Sequence, residues 1–78
     1  MRYQLDMTLR RAEGALIRVL GTTERRGFRA VSLEGDAPDG GDRWTLRMTV
    51  ESERPDSALR GQLAKLYDCL SVEMSPCT

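Results

Sequence analysis

Histidine is absent from this 78-residue chain, so no Ser-His or Cys-His pair exists to activate a nucleophile. The carboxylates are scattered over faces that read as solvated and make no arrangement for general acid and base work. Cys69 and Cys77 form no CxxC pair, and the first turn, Arg10-Arg11-Ala12-Glu13, holds no soft ligand, so no metal is expected. Acyl-phosphate hydrolysis would need a glycine-rich phosphate cradle, an arginine and a positioned amide to activate water. Asparagine is missing altogether, and Gln4 and Gln62 fall on a strand and a helix, which leaves Arg10 and Arg11 as the only basis for anion chemistry. Binding chemistry has a better foundation. Gly14-Ala15-Leu16 opens an amphipathic helix whose free backbone amides can accept a carboxylate where the helix dipole favours negative charge, and glycine permits close approach. The same residues serve equally as a tight turn with Leu16 packed inward.

These residues need a scaffold, and the patterning supplies one. Tyr3 to Arg10 alternate strictly, with Tyr3, Leu5, Met7 and Leu9 opposed to Gln4, Asp6, Thr8 and Arg10, as in a strand with one wet face. From about Ala15 to Arg26 the residues Leu16, Val19 and Leu20, with Ala15 alongside and Thr23 a turn later, recur at helical spacing. Gly27 suits the left-handed close of that helix, and Phe28 starts a second strand reaching about Leu33. Residues Gly35 to Asp42 are rich in glycine and aspartate and read as a solvated loop. Arg43 to Glu51 is the clearest strand, with Trp44, Leu46, Met48 and Val50 on its apolar side. Pro55, Asp56 and Ser57 start a second helix carrying Leu59, Leu63 and Leu66, which ends near Tyr67 or Asp68. Cys69 to Ser75 gives a last strand through Leu70, Val72 and Met74; Pro76 is expected to stop it, with residues 76–78 frayed.

The order strand, helix, strand, strand, helix, strand, closed by right-handed crossovers, predicts an α+β fold: a ferredoxin-like βαββαβ sandwich with a four-stranded antiparallel sheet and two helices on one face. The first and third strands are expected at the centre and the second at an edge. A chain this short supports one domain, residues 1–78, and its core is small enough that a partner is the natural stabiliser. Pairing of the second-strand edge with a second copy predicts a homodimer. Twelve basic and twelve acidic residues cancel, so no overall field draws the chain to nucleic acid or an anionic membrane. An RNA-binding sheet would also need aromatics on its open face, whereas Trp44 lies on the apolar side. Neither a signal peptide nor a membrane-length segment is visible, and a soluble cytoplasmic protein is the expectation.

Nearly the whole chain resembles one family. Gly14-Ala15-Leu16 followed by Arg18-Val19, Arg25-Arg26-Gly27-Phe28 followed by Ser32-Leu33, Arg47-Met48-Thr49-Val50, and Gln62-Leu63, Lys65-Leu66 and Asp68 resemble successive elements of the ACT domain of the small, regulatory subunits of acetohydroxyacid synthase. The resemblance implies a non-catalytic subunit that binds and activates the large catalytic subunit in branched-chain amino-acid biosynthesis. Thiamine diphosphate, magnesium and FAD would all sit on that large subunit and none on this chain. Valine-sensing members hold the effector with an asparagine in the first loop and another early in the second strand, across a dimer interface. The matching positions here are Arg11 and Arg29, whose charge repels an ammonium group, so the resemblance is to the short, valine-insensitive type. The effector-pocket candidates are therefore Arg11, Gly14, Ala15, Leu16 and Arg29, and the partner-surface candidates are Arg25, Arg26, Arg29, Asp36, Asp39 and Asp42. The alternative is a free-standing ACT module that senses a small effector, with Arg11 and Arg29 pairing with an anion.

Overall fold

The computed structural model describes residues 1–37 and 41–77. Alternation in the sequence becomes a twisted four-stranded sheet: β1 (Arg2–Arg10), β2 (Arg29–Asp36), β3 (Arg43–Glu51) and β4 (Cys69–Pro76), in the order β2-β3-β1-β4 with every neighbouring pair antiparallel. The helices α1 (Ala15–Arg25) and α2 (Ser57–Ala64) connect β1 to β2 and β3 to β4. The ferredoxin-like βαββαβ arrangement and the central places of β1 and β3 thus match expectation. Those two strands pair without a break from Arg2 opposite Glu51 to Arg10 opposite Arg43.

Period-two patterning decides what each face does. Tyr3, Leu5, Met7 and Leu9 of β1 and Leu46, Met48 and Val50 of β3 pack against Val19, Phe28, Leu59 and Leu63. Each such leucine, fully buried, contributes about 1.5–3 kcal/mol relative to exposure. Trp44 is half-buried against this core, and its Nε1 has no hydrogen-bond partner among the described residues. The opposite face stays open. Gln4 donates to Asp6 at 3.1 Å and Arg47 donates to Asp6 at 3.0 Å, an arrangement that holds the Asp6 carboxyl below its ordinary range.

α1 ends as its sequence indicates. Gly27 has φ 87, the Phe28 amide reaches back to the Thr23 carbonyl and the Gly27 amide to that of Glu24, both at 3.1 Å. This crossed pair of bonds is a Schellman close, and it drops Phe28 into the core as the chain turns into β2. Inside the helix, Thr23 is buried without penalty because its hydroxyl donates to the Val19 carbonyl at 2.8 Å.

Three boundaries differ from the sequence reading. β2 extends to Asp36, taking Gly35 and Asp36 out of the expected loop, because β3 is long enough to pair with them at Leu46 and Thr45. Its register shifts between Ala30 and Ser32, which leaves Val31 as an extra residue and returns Leu33 to the helix-covered side opposite Met48. α2 ends at Ala64: the amides of Lys65 and Leu66 bond three residues back, to Gln62 and Leu63, tightening the turn that carries Asp68 inward. β4 is irregular where Leu70 falls between Cys69, opposite Leu9, and Ser71, opposite Thr8, so Leu70 leaves the alternating apolar row. The expected fraying from Pro76 does not hold for Pro76 and Cys77. Pro76 pairs with Tyr3 on an edge strand, where a missing N–H costs little, and the Cys77 amide donates to the Arg2 carbonyl at 2.8 Å. Thr78 lies outside the described residues. Cys69 and Cys77 are free thiols, and partial burial raises the pKa of Cys69.

Candidate functional site

The turn between β1 and α1 is built around Gly14, which precedes the helix in the left-handed region at φ 78, ψ 5. A side-chain cap is absent, although the Ala15 amide donates to the Ala12 carbonyl at 3.1 Å and the Arg18 amide to that of Gly14 at 3.0 Å. The amides of Leu16 and Ile17 have no bonded partner among the described residues. They are the unsatisfied donors that a helix start presents to an anion or to water. Ala15 is buried and Leu16 half-buried, so both pack toward the core, the packing role read from the sequence.

One ion pair fixes this turn. Arg18 donates from Nε to Asp68 Oδ2 at 2.6 Å and from Nη2 to Asp68 Oδ1 at 2.9 Å, and its Nη2 also reaches the Glu13 carbonyl at 2.7 Å. The guanidinium lies across Gly14 so closely that a Cβ there would stand 2.9 Å from Nη1. Asp68 is covered almost completely, its own carbonyl accepts the Arg10 amide at 2.7 Å, and the Arg18 hydrogen bonds hold its carboxyl below the usual range. Helix entry, strand exit and the turn after α2 are therefore tied at one point. The sequence marks both residues only as points of resemblance. Fifty positions separate them, and no periodicity links them.

Within one chain the two arginines of the expected cross-dimer pocket lie apart. Arg11 sits just past β1, donating through Nη1 to the Gly41 carbonyl at 2.7 Å, while its amide meets the Asp42 carbonyl at 3.0 Å. Arg29 starts β2 at the other end of the sheet, opposite Glu51, which also pairs with Arg2. Eight steps of β1 separate these ends, about 26 Å at the rise of an extended strand. A single chain brings Arg11 and Gly14 together but not Arg29.

The partner-surface candidates divide in the same way. Arg25, Arg26 and Arg29 lie toward the Glu51 end, where Arg26 donates to Gln62 at 3.0 Å and Arg29 stands 3.9 Å from Glu51. Arg2 holds that glutamate more closely, at 2.7 Å, and is the main cause of its lowered pKa. Asp36 and Asp42 lie toward the opposite end, and Asp39 is outside the described residues.

β2 is an edge strand, and its flank is apolar. Val31 and Leu33 are 42% and 39% exposed, and Ile17 of α1 is 76% exposed. Leu16 and Leu20 of α1 are half-buried against the core, and α1 packs against both α2 and β2.

A family model described as the ACT domain matches residues 11–72, which spans the entry turn, both helices and all of β2 and β3. The chain is an ACT domain. Such domains are regulatory, small-molecule-binding modules without catalytic activity. Solved structures agree on the fold. The ACT domain from the GTP pyrophosphokinase of Chlorobium tepidum superimposes with a TM-score of 0.79 at 14% identity, covering 96% of this chain and 97% of that one. The C-terminal domain of the MgtC protein from Mycobacterium tuberculosis gives 0.70 at 16% identity, over 95% and 84% of the two chains. Formyltetrahydrofolate deformylase from Burkholderia mallei gives 0.73 at 18% identity, over 95% of this ACT domain but 27% of the enzyme. Among curated proteins none matches in sequence. Among the described residues, no helix of this ACT domain is long and apolar enough to cross a membrane, and no three acidic or cysteine side chains gather as a metal site.

Proposed function

We propose that this ACT domain is the small subunit of an acetohydroxyacid synthase, of the short type that activates the large subunit without valine feedback. The observation that carries the reading is the free, apolar β2 edge beside the Gly14 turn. Antiparallel pairing of two β2 edges about a two-fold axis would place Arg29 of a second copy next to Asp36 of the first, at the sheet end that holds Arg11 and Gly14. A homodimer thus completes a pocket that one chain leaves half-built. With arginine at both polar positions, the completed pocket would repel the ammonium group of an amino acid.

Activation requires that the small subunit bind the active arrangement of the large subunit better than the inactive one. The clusters at the two ends, Arg25, Arg26 and Arg29 against Asp36 and Asp42, together with the open sheet face, are the surfaces we assign to that contact, and Asp39, outside the described residues, remains a candidate by sequence. Thiamine diphosphate, magnesium and FAD belong to the large subunit, where two 2-oxo acids condense.

The test is co-expression with an acetohydroxyacid synthase large subunit of matched origin, assaying acetolactate formation with and without this chain and with added valine. Co-purification with a large gain in activity that valine leaves intact is the expected result. Neither binding nor activation would replace this reading with the free-standing, effector-sensing module. The gathering of Arg10, Arg11 and Arg43 within one chain is the observation that favours that second possibility.

A further inference from the structure

Where β1 and β3 end, register places Arg10 directly opposite Arg43. Both side chains belong to the open face, since Leu9 and Trp44 beside them point to the core. Opposed residues on one face of an antiparallel pair stand about 5 Å apart at Cβ, and like charges in that position are destabilising. Arg11 adds a third guanidinium beside them. The three line a depression of about 270 Å3 with Ala12, Asp42, Tyr67 and Leu70, in which Asp42 is the single carboxylate among the described residues. Asp68 is already bound by Arg18. In a chain with no net charge, the described lining of this corner carries an excess of two positive charges.

The guanidiniums of Arg10 and Arg11 are held in place and still have donors to spare. Arg10 donates only Nε, to the Tyr67 carbonyl at 3.0 Å, and lies over the Tyr67 ring with 4.7 Å between the guanidinium carbon and the ring centroid. Arg11 uses Nη1 on the Gly41 carbonyl. Tyr67 is 76% exposed, so much of its ring remains open, and Leu70 continues that apolar wall. We propose that this corner, formed by Arg10, Arg11, Arg43 and Tyr67, binds a phosphorylated small molecule: the phosphoryl group meets the three guanidiniums, and the organic portion rests on Tyr67 and Leu70. A phosphoryl group fits better than a carboxylate. It brings about −1.5 to −2 charges and three acceptor oxygens at neutral pH, matching the local excess, whereas one arginine satisfies a carboxylate in bidentate fashion. The lining residues all belong to one chain, so the site needs neither the β2 dimer nor a catalytic partner.

Isothermal titration of the purified chain at low ionic strength, with inorganic phosphate, pyrophosphate, phenyl phosphate and citrate as probes, decides the matter. Saturable binding of pyrophosphate by about 10 mM, weakened on adding salt, is expected. Phenyl phosphate should bind more tightly than phosphate, and Tyr67→Ala should remove that advantage. Arg43→Gln and Arg11→Gln should each weaken pyrophosphate about tenfold or more, the loss of a charge-assisted contact, while Arg60→Gln on the far helix leaves it unchanged. Circular dichroism establishes that each variant is folded. No saturable binding, equal affinity in Arg43→Gln, or tighter binding of citrate than of pyrophosphate would overturn the proposal. None of these outcomes bears on whether a large subunit is activated, so the two readings fail separately.

Discussion

Replacing Gly14 and Gly61 by alanine adds the same methyl group at two places and should change stability in opposite directions. Gly14 holds φ 78. An L-residue there costs roughly 1–2 kcal/mol from contact between Cβ and its own backbone. The new Cβ would also lie 2.9 Å from Arg18 Nη1, which must shift and so loosen its two bonds to Asp68. Because that guanidinium is the tip of a flexible side chain, the added penalty is modest, and about 1–3 kcal/mol in all is expected for Gly14→Ala. Gly61 lies within α2, and a methyl group added there would meet nothing within 4 Å. At that position alanine should gain about 0.5–1 kcal/mol by restricting the unfolded chain and favouring the helix. For a domain of this size each kcal/mol moves the melting temperature by about 4–8 °C. Thermal melts followed by circular dichroism, at matched protein concentration because of the expected dimer, should show Gly14→Ala lower by roughly 5–20 °C and Gly61→Ala higher by about 2–8 °C. If Gly14→Ala melted with the parent, the entry turn would not depend on a left-handed residue. If its loss stayed fully additive with Arg18→Ala, the contact between Gly14 and the guanidinium would play no part.

Two further outcomes follow from particular contacts. Arg18 lowers the pKa of Asp68 in the folded chain, so the pair's contribution to stability is complete above the ordinary carboxylate range and is lost as pH falls through the folded value. Asp68→Asn should therefore be less stable than the parent at neutral pH, with the gap narrowing steadily below about pH 4 in acid-dependent melts; a gap independent of pH would remove the ion pair from the explanation. Leu33→Lys places charge on the partly exposed apolar flank of β2 and should convert a dimer to a monomer in light scattering at tens of micromolar, with circular dichroism showing that the isolated fold is retained. A parent chain that is already monomeric there would exclude β2 pairing.

Much of the ACT architecture is legible locally, because period-two alternation in residues 3–10 and 43–51 assigns each side chain to a face whatever its neighbours are. Glycine at position 27 and phenylalanine at 28 likewise announce the helix close and the return to the core, since backbone chirality and burial act on those residues directly. Gly14 is legible as a turn for the same reason. Irregularities at Val31 and Leu70 are not, because a bulge depends on how a strand's length meets its partner's. Arg18 and Asp68 meet across fifty positions, and their pairing is decided only when α2 ends early and its following turn is drawn inward. The arginines show the division most clearly. The family resemblance singles out Arg11 and Arg29, but sheet register sets them at opposite ends of the sheet and instead gathers Arg11 with Arg10 and Arg43. Local chemistry is carried by single residues and their near neighbours; which charges share a corner is a property of strand order and register, and those exist only in the folded sheet.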